Sequence, residues 1–222
     1  EFDVIVLPSG TYAPLAGQTA LDRLREWLRG GGTIVTLADA SRWAAGDRVN
    51  LIETRTELRG GRPEVEERPA GQGSSGSNQT SSGTGTNSTP AAFDYNKSIQ
   101  PERERPENTP GAIVRVTMDM EHWLSAGQDG ELQVMLEGQR IFTPIRLDKG
   151  RNIGVYTAKD RLVASGLMWD EARDQIAQKA YLIYQPVGSG HIIAFAEDPT
   201  FRAFTEAIEL LFINAVLLGP AY

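Results

Sequence analysis

Apolar and polar positions near the start of the chain predict a strand, a helix and a second strand. Residues 3–9 are a short apolar, β-branched run, as is typical of a buried parallel strand. Leucines then recur at spacings of three and four over residues 17–29 and predict a helix, which the glycines at 30–32 end. Residues 33–38 are the next strand. This order predicts an α/β fold with an open, mainly parallel sheet, a parallel core of about four or more strands and helices on both faces.

The second half of the chain predicts more strands and a closing helix. Order is expected to resume at Gly111, with a strand over residues 112–118. Three pairs of apolar runs could form β-hairpins: Leu132–Leu136 with Ile141–Ile145, Asn152–Ala158 with Leu162–Leu167, and Ala180–Pro186 with Ile192–Ala196. A strongly apolar segment from Thr205 to Leu218 predicts the last helix.

A change of composition separates the two halves. Residues 71–90 contain no charged and no large apolar side chain, so they have too little surface to bury to offset the entropy of ordering. We interpret residues 60–110 as a long, mostly disordered insertion within a single domain that spans residues 1–222. The alternative is a linker between two domains. The first 59 residues supply only two strands, too few for an independent core, which favours the insertion.

Composition excludes several classes of function. The 222 residues are 40% hydrophobic and 23% charged, enough for a sizeable core, and no apolar run is long enough to span a membrane. A net charge of −7 disfavours a nucleic-acid partner. The absence of cysteine excludes disulfides and thiol nucleophiles, and two histidines exclude a histidine-rich metal site. The chain opens inside a core-strand pattern, so we expect it to be a fragment of a longer polypeptide.

Four stretches carry a family resemblance: DVIVLPSG, LREWLRGGGTIVTLADASRW, PGAIVRVTMDMEHWLSAG and YQPVGSGHIIAFAEDPTFRAFTEAIELLFINAVLLG. In this order they resemble the C-terminal domain attached to secreted bacterial zinc carboxypeptidases of the carboxypeptidase A type. That domain is similar to class I glutamine amidotransferases, which are flavodoxin-like α/β sheets. The resemblance implies a secreted or periplasmic protein, a peptidase domain of the same polypeptide as partner, and zinc in that missing domain rather than here.

The residues that either chemistry needs are absent from the chain. A class I amidotransferase uses Cys, His and Glu, and its nucleophile elbow would fall near Ala38-Asp39-Ala40, where there is no cysteine. Its His-x-Glu step would fall near Glu197-Asp198-Pro199, which lacks a histidine. Neither His122 nor His191 has the His-x-x-Glu spacing of a zinc carboxypeptidase site. We therefore predict no catalytic and no metal residues in this chain, and a structural role for both histidines.

Four charged residues follow predicted strands and are the candidates for a ligand site: Asp39, Glu197, Asp198 and Arg202. Ligands of open α/β sheets favour the carboxyl ends of strands, where paired carboxylates could bind a cation or act as acid and base. The competing interpretation is structural. Asp39 or Ser41 would cap a short helix, and Asp198 would cap a helix begun by Pro199, with Arg202 as its ion-pair partner one turn on.

The leading hypothesis is a non-catalytic accessory or interaction domain of a secreted zinc metallocarboxypeptidase. One alternative is a module that binds carbohydrate or peptide, for which four tryptophans could form a platform: Trp27, Trp43, Trp123 and Trp169. Of these, Trp27 also fits the core stripe of its helix. The other alternative is an enzyme that uses the carboxylates near Asp39 and Glu197.

Overall fold

The computed structural model describes residues 2–58, 105–203 and 205–222. Its strands are β1 (Val4–Leu7), β2 (Thr33–Leu37), β3 (Thr109–Met118), β4 (Glu131–Gly138), β5 (Arg151–Tyr156), β6 (Val163–Gly166), β7 (Ala180–Val187) and β8 (Gly190–Phe195). Its α-helices are α1 (Gln18–Arg29), α2 (Asp39–Ala45), α3 (Lys159–Leu162), α4 (Asp170–Ile176) and α5 (Glu206–Leu217). All eight strands join one sheet in the order β1-β2-β8-β7-β5-β3-β4, with β6 also paired to β3.

The start of the chain builds the parallel side of the sheet. β1 pairs in parallel with β2, and β2 in parallel with β8. Every residue of β2 and β8 is buried. Because successive side chains of a strand point to opposite faces, both faces of these two strands are covered. α1 makes the crossover between β1 and β2, buries Leu21 and Leu28, and ends where Gly31 takes a φ of 115°.

The rest of the sheet is antiparallel. β7 and β8 form the predicted hairpin, and β7–β5, β5–β3, β3–β4 and β3–β6 are antiparallel pairs. The α/β class, the open sheet and the helices on both faces are confirmed. The parallel core, however, has three strands rather than the expected four or more, because the sheet continues beyond β8 through antiparallel pairs.

Two of the three predicted hairpins are wrong. β4 pairs with β3, whereas Phe142 bridges to Thr56 and Ala180, so residues 141–145 do not pair with residues 132–136. β5 and β6 both pair with β3 instead of with each other. Apolar alternation identified most of these strands, but it carries no information about which strand lies beside which.

The predicted insertion falls mostly outside the described residues. Of residues 60–110 only 105–110 are described, and β3 already begins at Thr109, two residues before the predicted Gly111. Residues 59–104 are the gap between the first two described ranges. The strands that precede and follow this gap lie in the same sheet, and their buried side chains form one continuous cluster.

Candidate functional site

A strained turn marks the carboxyl end of β2. Ala38 has φ 50° and ψ −110°, a conformation that side-chain-bearing residues rarely adopt, and Asp39 begins α2 directly after it. The Ala38 amide donates to the carbonyl of Phe195 at 3.0 Å, which ties the turn to β8. The turn therefore lies where the sequence resemblance puts the amidotransferase elbow, and the side chain it presents is a methyl group.

Arg140 connects the acidic groups beside this turn. Its Nη2 lies 2.6 Å from Glu197 Oε2, and its Nη1 lies 3.4 Å from Asp39 Oδ1. Arg140 also donates to the backbone carbonyls of Ala196 and Glu137. The guanidinium thus joins the end of β4, the end of β8 and the start of α2. We call Arg140, Glu197 and Asp39 the arginine clamp.

Burial governs the electrostatics of the clamp. It raises the pKa of Glu197 to about 8, because removal from water disfavours the carboxylate more than Arg140 favours it. Burial lowers the pKa of Arg140, but Glu197 and Asp39 raise it, and the net shift is upward. Within the described residues, Glu197 Oε1 and the Tyr156 hydroxyl are buried without a hydrogen-bond partner. Burial, reinforced by Glu197, raises the pKa of Tyr156 well above its ordinary value.

Three hollows adjoin the clamp. The elbow pocket, of about 170 Å³, is lined by Ala38, Arg140, Glu197 and neighbouring residues, Ser9 and Asp198 among them. A second hollow of about 250 Å³ lies between Arg140 and the buried Glu57. The largest, about 730 Å³, is lined by Tyr12, Trp43, three arginines and Asp39, together with other residues of the first 56. We call the largest hollow the aromatic cleft.

Asp39 does not cap α2, contrary to the structural interpretation of the sequence. The N-cap position belongs to Ala38, and Asp39 is the first helical residue. Its carboxylate instead accepts from Ser9 Oγ at 3.3 Å and from Arg140. Ser41 does not cap the helix either, because its buried hydroxyl donates to the carbonyl of Phe195 at 2.7 Å, with the carbonyl of Thr36 3.0 Å away as the alternative acceptor. Asp39 thus belongs to a polar cluster that joins the ends of β1, β2 and β8.

Asp198 keeps a capping geometry without the expected helix. Its Oδ1 accepts from the backbone amide and the hydroxyl of Thr200, both at 2.8 Å. A short 3-10 turn follows, and α5 begins only at Glu206. In the described part of the chain no ion pair joins Arg202 to Asp198. The Arg202 guanidinium instead lies 5.2 Å from the ring centroid of Phe201.

The two histidines lie away from the clamp. His191 is in register with Thr33, the first residue of β2, whereas the clamp lies beyond the opposite end of that strand. Its Nε2 is 3.3 Å from Thr33 Oγ1. His122 Nδ1 accepts from the Leu124 amide, and burial, followed by the charge of Arg151, lowers the pKa of His122 to about 4. These contacts agree with a structural role.

The four tryptophans do not form a common platform. Trp27 packs over Gly32, and Trp123 stacks on Tyr222 at 4.9 Å in a ring cluster near the histidines. Trp169 is half exposed beside α4. Trp43, in contrast, lines the aromatic cleft next to the clamp.

Within residues 2–58, 105–203 and 205–222, no three His, Cys, Asp or Glu side chains are placed to hold a metal ion together. No described helix is both long and apolar enough to cross a membrane.

Sequence reasoning named Asp39 and Glu197 as candidates but did not name Arg140 or Tyr156, which lie beside them in the structure. Arg140 follows β4 in a segment without a motif, and 57 residues separate it from Glu197. The two side chains meet because of strand order: Arg140 follows β4, which lies at the edge of the sheet, and Glu197 follows β8, which lies inside it. No local signal in the sequence could have identified it.

Comparison with known proteins gives a likeness of fold. No family model and no curated protein matches the chain. Two cytoplasmic proteins from Salmonella typhimurium are similar at 10% identity: one has a TM-score of 0.51 over 98% of this chain and 71% of its own, the other 0.52 over 98% and 72%. A ThuA-like protein from Parabacteroides merdae has a TM-score of 0.49 at 9% identity, over 99% of this chain and 70% of its own.

These similarities bear on architecture alone. The two Salmonella proteins, with TM-scores of 0.51 and 0.52, support the α/β fold that the sequence predicts. Nothing in the comparisons supports an association with zinc carboxypeptidases.

Proposed function

We propose that this chain is a non-catalytic, amidotransferase-like accessory domain that interacts with the peptidase domain of a zinc metallocarboxypeptidase. One observation carries the first half of the proposal. The elbow turn at Ala38 keeps its strained backbone but carries a methyl group, and the acid beside it is held by Arg140. A methyl group cannot attack an amide, and both histidines lie away from the turn, so neither can serve as the base.

The second half of the proposal is carried by the sequence resemblance. It implies that the zinc and the peptidase residues lie outside this sequence and that the protein lies outside the cytoplasm. The role of the domain would be to stabilise or position the peptidase. The full reading frame tests this directly, since a His-x-x-Glu zinc motif upstream of Glu1 is expected. A frame without one would overturn the association and leave the non-catalytic assignment standing.

Ammonia release from glutamine tests the non-catalytic assignment. The wild-type chain is expected to release none above background. A38C restores a thiol at the elbow and is also expected to be inactive, because the chain has no histidine near the turn to serve as base. A38S serves as a matched control for the added side-chain volume, with circular dichroism to verify folding. Turnover by the wild type would refute the assignment.

An enzyme that uses the carboxylates near Asp39 and Glu197 is the rival function. The raised pKa of Glu197 favours it, since an acid that titrates near neutral pH suits proton transfer. Its ion pair with Arg140 disfavours it, because the carboxyl is engaged within the protein. An activity found in a hydrolase substrate screen and abolished in E197Q would establish the rival.

A further inference from the structure

A short 3-10 turn, Trp123–Ser125, holds the last part of the chain in place. Asn214 of α5 is buried, and its side-chain amide donates to the carbonyls of Leu124 and Ala126, at 3.0 and 2.9 Å. The ring of Tyr222 stacks on the tryptophan of the turn, with centroids 4.9 Å apart and planes 5° apart. This segment, which we call the Trp123 turn, therefore anchors both α5 and the residues that follow it.

A buried histidine closes the Trp123 turn. His122 is its N-cap residue, and Nδ1 of His122 accepts from the backbone amide of Leu124 at 3.3 Å. The His122 ring also packs on the ring of Tyr184, with centroids 4.6 Å apart. An imidazole nitrogen accepts a hydrogen bond only while it carries no proton, and a protonated ring carries one on both nitrogens. Protonation would therefore set a donor against the Leu124 amide and remove the cap.

The charges around His122 do not compensate for an added proton. Arg151 of β5 and His191 of β8 disfavour the charged ring, whereas Asp119 favours it. Asp119 already pairs with Arg151 at 3.2 Å, and Glu121 lies 3.9 Å from the same guanidinium. Burial, followed by the charge of Arg151, lowers the pKa of His122 to about 4 in the closed turn.

We infer that His122 is an acid-sensitive latch: the neutral imidazole closes the Trp123 turn, and its protonation releases the turn together with α5 and Tyr222. The sign follows from linkage. The closed turn binds the proton more weakly than the open one, so closure is most stable above about pH 6.5 and weakens as pH falls toward 4. This inference concerns the end of the sheet opposite the clamp and does not depend on the proposed function.

Hydrogen exchange of the whole chain, followed by NMR, tests the latch, because the Leu124 amide is the donor that His122 holds. With a pKa of 6.5 in the open turn and about 4 in the closed one, opening becomes about 20-fold more favourable between pH 7 and pH 5. The protection factor of the Leu124 amide is expected to fall accordingly. Amides of β8 should remain clearly better protected than Leu124 at pH 5. Equal protection of the two would mean that the whole chain opens, and an unchanged Leu124 would mean that no latch exists; either overturns the inference.

Two histidine variants identify the group that titrates. H122N keeps an oxygen that can cap the turn but does not titrate, so the Leu124 protection factor should be the same at pH 7 and pH 5. H191Q is the matched control: it removes the other buried histidine and should keep the fall seen in the wild type. A fall that persists in H122N, or that is lost in H191Q alone, would contradict the assignment. The imidazole signals of wild-type His122 give an independent measure, since titration near 6.5 instead of near 4 would also overturn it.

Y222A tests the coupling between the turn and the last residues. Loss of the stacked ring is expected to lower the Leu124 protection factor by about two- to tenfold at pH 7 and pH 5 alike. Wild-type protection in Y222A would show that the turn does not hold Tyr222, contrary to the inference.

Discussion

At the scale of single residues, Glu197 is the more deeply buried of the two acids of the clamp. Its side chain is 6% exposed, and one carboxyl oxygen meets Arg140 while the other has no partner among the described residues. Desolvation outweighs the ion pair, so the folded protein holds the Glu197 proton more tightly than the unfolded chain does. Folding stability must therefore depend on pH through this residue.

The sign of that dependence follows from the raised pKa. Glu197 titrates near 8 in the folded state against an ordinary 4.5, so its stabilising effect is complete below about pH 4.5 and is lost as pH rises through 8. Relative to E197Q, the wild type is expected to lose about 1 kcal/mol per pH unit between pH 5 and 8. Thermal melting of both proteins across this range measures the difference. E121Q, at a side chain 87% exposed, is the control for removing a carboxylate. A stability difference that stays constant with pH would disprove the expectation.

At the scale of elements, the C-terminal end of α1 and the glycines after it lie directly against the start of β8. A Cβ placed on Gly190 would collide with the carbonyl oxygens of Gly32 and Leu28. Gly188, in the turn before β8, has a φ of 66°, and a Cβ there would lie 2.8 Å from the carbonyl oxygen of Arg29. β8 can therefore enter the middle of the sheet only because these positions lack side chains.

G190A is expected to destabilise the protein by about 2–3 kcal/mol, because the backbone atoms that it would meet cannot rotate away as a side chain can. G17A is the matched control. Gly17 has a φ of −68°, and an added Cβ there would meet nothing within 4 Å, so alanine should cost no more than about 1 kcal/mol, the difference between Gly and Ala as N-cap residues. Urea unfolding of both variants measures the contrast, and equal stabilities would show that β8 tolerates a shift.

At the scale of the whole molecule, strands from both sides of the gap share one sheet. β2, which precedes the gap, pairs along its full length with β8, which comes last among the described strands. Their side chains belong to one core cluster. Removing either strand would leave the other with an unpaired buried edge, so the two segments should unfold together.

Native-state hydrogen exchange tests this coupling. Amides of β2, β7 and β8 are expected to exchange through one opening with the same free energy and the same dependence on denaturant. Amides of the exposed 3-10 turn at Ala13–Ala16 should exchange at lower free energy and serve as the internal reference. Exchange of β2 at a free energy clearly below that of β8 would indicate two separate cooperative units.

Local signals in the chain were enough to predict the α/β class, the first strand-helix-strand unit, the β7–β8 hairpin and the absence of a thiol nucleophile. Those signals are hydrophobic periodicity, glycine at helix ends and turns, and residue type. The folded structure was needed to learn that β3 pairs with β4, β5 and β6, that Arg140 meets Glu197 and Asp39, and that Trp43 and Arg105 line one hollow. Each of these joins residues far apart in the chain, and their proximity comes from strand order and burial, which a local pattern does not encode.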